Sequence, residues 1–221
     1  MNFKALFILT MYILSSYQMA AKNLPGRMWW EHNYSNYCDQ FERWWGDINA
    51  PSRVFMRNEI ICNNYKNILD VGCGFATDLQ GIRFYNLPVV YTGVDITPSF
   101  ISRAQLLKMN VSLADAHCLM FGDKSFDIVY ARHLFEHEPD FKDIISEFIR
   151  VARHEILIIF YKKLVHTPTY AELTVTNYEP LWDVSYNVED VLNACAAHDR
   201  VTNISLHNIG DFEQALIVKL S

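Results

Sequence analysis

The stretch NILDVGCGFATDLQGI, residues 67–82, decides the fold. It opens on a short, mostly apolar run, as in a strand buried on both faces. An acid and two glycines follow, and from Phe75 the pattern turns amphipathic. That is strand, tight turn, helix. Gly72 and Gly74 permit positive φ and carry no Cβ to hold a ligand away. Taken alone, the glycines fit a plain turn as well as a binding loop.

The same order repeats downstream. Val89–Ile96 reads as a strand and Pro98–Met109 as a helix, with Thr97 at its N-cap and Pro98 at its first position. Val111–Ala114 and Phe126–Ala131 read as strands. Asp140–Ala152 carries Phe141, Ile144, Ile145, Phe148 and Ile149 on one helical face, and Glu155–Tyr161 is a strand rich in isoleucine. Alternation of this kind predicts an α/β fold, a parallel sheet with helices on both faces. The tail departs from it. After a helix over Val188–His198, Val201–His207 and Glu213–Leu220 flank the turn signal NIGD as a hairpin.

In such sheets ligands sit at the carboxyl ends of the strands. Asp95 ends the second strand, 25 residues after Asp70. A carboxylate there can accept both hydroxyls of a ribose, in a dinucleotide or in another adenosyl compound. The dinucleotide fingerprint asks for a small residue where Thr77 stands. Asp70, just before the first glycine, would repel a pyrophosphate and attract an ammonium or sulfonium. A nicotinamide dehydrogenase is therefore disfavoured.

With these residues in view, the chain resembles the class I S-adenosylmethionine-dependent methyltransferases, of the type 11 kind that acts on small molecules. The resemblance rests on ILDVGCGFATDL, YTGVDITPSFISRA, LADAHCLMFGDKSFDIVYARHLFEHEPDF and EFIRVARHEILIIFY, within residues 67–161. The third piece is the most specific, with Met120 where the family usually has proline. The resemblance implies a Rossmann-like sheet of seven strands, mostly parallel, ending in an antiparallel hairpin. It implies S-adenosyl-L-methionine as cofactor. It implies that Asp70 lies near the methionine ammonium and that Gly72 and Gly74 let the chain pass close to the cofactor. Asp95 would take the ribose hydroxyls, and Ile96 would pack on the adenine. Asp115 would accept from the adenine amino group, with Ala116 supplying a backbone N–H. Arg132 would line the site through its backbone, with Phe75 nearby.

HLFEH, residues 133–137, fits a short zinc pattern if it is helical. It also falls where the methyltransferase pattern expects its loop after the fourth strand, so no metal is expected. His133 and His137 are candidate general bases for a hydroxyl acceptor, beside the simpler reading that they and Glu136 are structural. Methyl transfer has no universal catalytic residue, because the thioether leaves readily and the protein mainly positions the acceptor. No N-P-P-Y or D-P-P-Y follows the fourth strand, which argues against methylation of a nucleobase amine or a glutamine amide.

Residues 67–221 read as the cofactor-binding domain. Recognition of the acceptor is expected from a helical lid over 23–66 and from an insert over 162–187. Tyr34, Tyr37, Trp44, His166, Tyr170, Tyr178 and Trp182 are the candidate acceptor-lining residues. The expected acceptor is a small molecule; a protein or RNA acceptor, or a non-catalytic cofactor-binding regulator, stays open. Net charge is −6 with no basic run, which argues against a broad nucleic-acid footprint. The five cysteines, Cys38, Cys62, Cys73, Cys118 and Cys195, form no C-x-x-C pair, and a reducing, cytoplasmic setting is expected. Residues 1–22 form an apolar segment whose run at 5–14 is too short to span a bilayer as a helix. It reads as a membrane-associating stretch, a poor signal peptide or an extension upstream of Met19.

Overall fold

The computed structural model describes residues 26–176 and 179–221 and, apart from 35–38, 41, 44, 45, 176 and 179, their side chains. The apolar segment 1–22, Tyr178 and the side chains of Tyr37 and Trp44 lie outside the described residues. Two helices, α1 (Arg27–Trp45) and α2 (Pro51–Cys62), precede the sheet. Then come β1 (Asn67–Val71), α3 (Thr77–Phe84), β2 (Val90–Asp95), α4 (Pro98–Leu106), β3 (Val111–Leu113), β4 (Phe126–Arg132), α5 (Lys142–Val151) and β5 (Ala152–Phe160). The chain closes with β6 (Tyr170–Thr176), β7 (Glu179–Ser185), α6 (Val188–Ala196), β8 (Val201–Ile209) and β9 (Glu213–Leu220).

Seven strands form one sheet in the order β3-β2-β1-β4-β5-β9-β8. It is parallel from β3 to β5, and β9 runs antiparallel to both of its neighbours. This is the Rossmann-like sheet that the sequence implied. The period of two along each strand explains the two cores. Ile128, Tyr130, Leu157, Ile159 and Ile217 face one side, against Met56 and Ile60 of α2, Leu79 and Ile82 of α3, and Ile101 of α4. Val129, Ala131, Ile156, Ile158 and Val218 face the other, against Ile144, Ile145 and Phe148 of α5 and Val191 of α6. Phe148 is fully buried, so Phe148→Ala should cost about 3–5 kcal/mol.

Three local outcomes differ from the sequence expectation. The helix expected to reach Met109 stops at Leu106, because Lys108 turns left-handed at φ 55°. Met109 N–H then bonds Ala104 O at 3.1 Å and Lys108 N–H bonds Gln105 O at 2.8 Å, which closes the helix end. Thr97 occupies the N-cap of α4 but its side chain makes no capping bond. The insert over 162–187 contains a self-paired hairpin, β6 with β7, that joins no other sheet. Gly26 N–H at the head of α1 bonds Pro180 O of this hairpin at 2.9 Å.

Candidate active site

The sheet reverses its order at β1, with β2 on one side and β4 on the other, and the loops leaving these strands enclose a cavity of about 610 Å³. The turn after β1 forms its floor. Gly72 and Gly74 have φ of 76° and 54°. The N–H groups of Gly72 and Cys73 both bond Val94 O, at 2.8 and 3.0 Å, tying the turn to β2. A Cβ on Gly72 would press on the Leu134 side chain at 3.3 Å. One on Gly74 would meet no atom within 4 Å and would stand in open space.

Three carboxylates line the cavity at successive strand ends. Asp70 is buried, and its Oδ2 accepts from the Tyr91 hydroxyl at 2.6 Å. Burial and then the charge of Asp78 raise its pKa to about 8, against the Tyr91 hydrogen bond and the more distant charge of Arg53. Arg53 itself pairs directly with Asp78. Asp95 accepts from Gly74 N–H at 2.9 Å and Thr97 N–H at 2.8 Å, so it clamps the glycine turn to the start of α4. Burial raises its pKa while these backbone bonds oppose the rise. Asp115 accepts from the backbone N–H of His117 at 2.9 Å, and its Oδ1 lies 2.9 Å from His117 Nδ1. That hydrogen bond, opposed by burial, lifts the imidazole to about 9, so His117 is a cation at neutral pH.

The cavity wall also carries aromatic side chains. Trp30 of α1, Leu181 and Trp182 of β7, His133, His137 and Tyr161 line it. HLFEH is not one helix here: His133 is left-handed at φ 57°, and only Phe135–His137 make a single 3-10 turn. His137 Nδ1 lies 2.9 Å from Trp182 O, and its ring meets Trp30 edge-on at 5.2 Å. Burial lowers its pKa, against the Trp182 carbonyl. Glu136 points away and is buried, accepting from Tyr161 N–H at 2.5 Å and Lys162 N–H at 3.3 Å.

The cavity brings together Asp70, Gly72, Gly74, Phe75, Asp95, Ile96, Asp115, Ala116, Arg132, His133, His137 and Trp182 of the residues singled out in the sequence. Three others stand elsewhere. Tyr34 is buried behind the cavity, stacked on Phe75 at 6.1 Å and edge-on to Phe100 at 4.5 Å. The His166 side chain is 86% exposed and Tyr170 is 61% exposed, because the free strand β6 lies outward and only β7 faces the cavity. The Arg132 guanidinium bonds Glu213 at 3.1 Å and Ser52 at 2.8 Å. Sequence reasoning missed Arg53, His117, Tyr161 and Leu181 as lining residues.

The donor set suits an adenosyl compound with a cationic end. It offers carboxylates for hydroxyl, amino and ammonium groups, and a floor opened by the missing side chain of Gly74. Residues 69–160 match the family model described as "Methyltransferase domain". The ubiquinone biosynthesis O-methyltransferase of Coxiella burnetii is 27% identical over 120 residues, covering 48% of this chain and 50% of the relative. The phthiotriol/phenolphthiotriol dimycocerosates methyltransferase of Mycobacterium tuberculosis is 30% identical over 92 residues, covering 40% and 34%. The chain thus spans half or less of the length of these curated relatives. Among solved structures, the magnesium protoporphyrin IX methyltransferase of Synechocystis PCC 6803, with bound S-adenosylhomocysteine, superposes with a TM-score of 0.62 at 14% identity, over 88% of this chain and 98% of that one. A S-adenosylmethionine-dependent methyltransferase from Clostridium acetobutylicum gives 0.62 at 14% identity, over 85% and 99%. Among the described residues no helix is long and apolar enough to cross a membrane. Residues 69–160 thus match a methyltransferase-domain model, and the seven-stranded sheet that carries them has the fold of solved S-adenosylmethionine-dependent methyltransferases.

Proposed function

We propose that the chain moves the methyl group of S-adenosylmethionine to a small acceptor held against the aromatic part of the cavity wall. The observation that carries this reading is the mixed lining of that cavity, in which Asp70, Asp95 and Asp115 share one wall system with Trp30, Trp182, Leu181 and Tyr161. When bound, the cofactor supplies an electrophilic methyl group on a cationic sulfur. Asp95 accepts the ribose hydroxyls, Asp115 the adenine amino group, and Asp70 faces the methionine ammonium. Ile96 packs on the adenine, with Phe75 nearby, and Ala116 donates its N–H. The enclosing aromatic walls keep water from the methyl group and orient the acceptor in line with it. The names of the two curated relatives, a ubiquinone biosynthesis O-methyltransferase and a phthiotriol methyltransferase, favour a small-molecule acceptor.

Incubation with methyl-labelled cofactor and fractionated cell extract tests this. Label is expected in the low-molecular-weight fraction. Label confined to protein or RNA would overturn the small-acceptor assignment.

A further inference from the structure

Beside the cavity lies a polar cluster built from three distant parts of the chain. His133 Nε2 is 2.7 Å from Glu213 Oε1. The same oxygen accepts from Ser52 Oγ at 2.8 Å and from Arg132 at 3.1 Å. Burial opposes ionisation of Glu213, but the hydrogen bonds of His133 and Ser52 and the charge of Arg132 outweigh it and hold the carboxyl at about 2. An ionised carboxylate has no proton to give, so the shared proton sits on Nε2. Nδ1 is then the nitrogen with the lone pair, and it has no hydrogen-bond partner among the described residues. The ring lines the cavity and meets Tyr161 edge-on at 5.5 Å. Its backbone is fixed in the left-handed region by a bond from its N–H to Ile159 O at 2.8 Å.

Charged groups reach this ring from three elements: Glu213 of β9, Arg132 of β4 and Arg53 of α2. Burial lowers the His133 pKa, Glu213 opposes this, and the two guanidinium charges add to it, so the ring is neutral near neutral pH. His137 is a weaker candidate, because it is bonded to a main-chain carbonyl and not to a carboxylate.

We propose that His133 Nδ1 is the general base that takes the proton of an acceptor hydroxyl, with Glu213 as its positioning residue, so that this site methylates oxygen in a phenol-like or enol-like acceptor. This rests on the methyltransferase reading above. The acceptor O–H bond breaks toward Nδ1 and the oxygen bonds the methyl carbon. The carbon–sulfur bond breaks with its electron pair left on sulfur. The proton then passes from His133 to water. Glu213 balances the imidazolium in between and fixes the tautomer. A neutral imidazole suits the proton of a phenol better than that of an alkyl alcohol, which is far less acidic, whereas a neutral amine or a preformed enolate would need no such base.

Two measurements with catechol as the probe acceptor test this. In nitrogen-resolved spectra of the free protein, His133 should carry its proton on Nε2 from about pH 7 to about pH 9. Catechol added with S-adenosylhomocysteine should shift its Nδ1 resonance. An Nδ1–H tautomer, or no shift, overturns the proposal whether or not catechol is turned over. In turnover with labelled cofactor, His133→Ala should lower kcat about 10²–10⁴-fold with little change in the cofactor KM. Glu213→Gln should lower kcat about tenfold and move the acid limb of the kcat profile to lower pH, since the amide still accepts from Nε2 but no longer favours the imidazolium. An unchanged kcat in His133→Ala, or label on nitrogen or carbon from an amine or enolate panel alone, overturns the proposal. Calorimetry with S-adenosylhomocysteine separates the two failures. No binding to the parent protein sinks the methyltransferase reading, while binding with an unresponsive His133 sinks only the base.

Discussion

Asp70 and Glu155 are both buried acids on neighbouring parts of one sheet, yet they sit at opposite ends of their strands. Glu155 lies near the amino end of β5, fully covered, with the Lys219 ammonium on Oε2 and the Tyr65 hydroxyl donating to the same oxygen at 2.8 Å. Asp70 lies at the carboxyl end of β1 beside the cavity, and its hydrogen-bond partner is a neutral phenol. The nearest buried guanidinium, Arg53, is bonded to Asp78 instead. Burial raises both acids, but a lysine is bonded to one, while the other has a neutral phenol as its hydrogen-bond partner and lines the cavity. An internally paired acid holds the fold together. An acid whose partner is missing from the chain marks where a cationic ligand goes.

The largest effect should come from breaking the internal pair. Lys219→Ala strands Glu155 and should cost about 3 kcal/mol in denaturant unfolding, near the lower end for a severed buried ion pair because Lys219 is partly exposed. Calorimetry with S-adenosylhomocysteine should show unchanged affinity. The double variant Lys219→Met, Glu155→Gln should regain much of the loss. A drop in cofactor affinity in either would erase the distinction between the two ends.

Asp95→Ala should act on both ledgers. Loss of its bonds to the cofactor should weaken binding by about 1.5–3 kcal/mol, and the N–H groups of Gly74 and Thr97 that it leaves should cost about 1–3 kcal/mol of stability. Unchanged affinity in calorimetry would remove Asp95 from the ribose role.

The most telling variant is at Asp70. Its pKa is raised from 3.8 to about 8 by folding, so the folded chain binds the proton more tightly than the unfolded one. Its contribution to stability therefore falls as pH rises from about 4 to about 8 and is constant above. Asp70→Asn should remove this slope and raise the thermal midpoint of the free protein by about 2–4 °C per kcal/mol gained. The same variant should bind the cofactor more weakly. In the parent protein, affinity should tighten with pH up to about 8, with proton release on binding measurable as a dependence of the heat on buffer. A variant that neither stabilises nor loses affinity would make Asp70 no different from Glu155.

The sheet was legible in the sequence because each strand and helix keeps its own period, and the order of acids after β1 and β2 follows from that. What escaped notice depends on contacts across long separations. Glu213 meets His133 only because β9 returns beside β5, which lies beside β4, and no spacing between residues 133 and 213 encodes that. Arg53 reaches the cavity from α2, a helix read from sequence only as part of a lid. The hairpin within 162–187 was missed because it pairs with itself alone, although LTVT and PLWDV carry alternation that could have revealed it. Placing His166 and Tyr170 at the acceptor failed for a related reason: without the register, nothing in the sequence says which strand of a hairpin turns inward. Tyr34 was aromatic and correctly placed on α1, but it supports Phe75 from behind.

The link between α1 and the hairpin runs main chain to main chain, from Gly26 to Pro180. A seam of this kind does not depend on which side chains flank it. Exchanges at Trp30, Leu181 and Trp182, which line the cavity beside it, would leave that main-chain bond in place, so a new acceptor could be accommodated by drift in three positions of the wall.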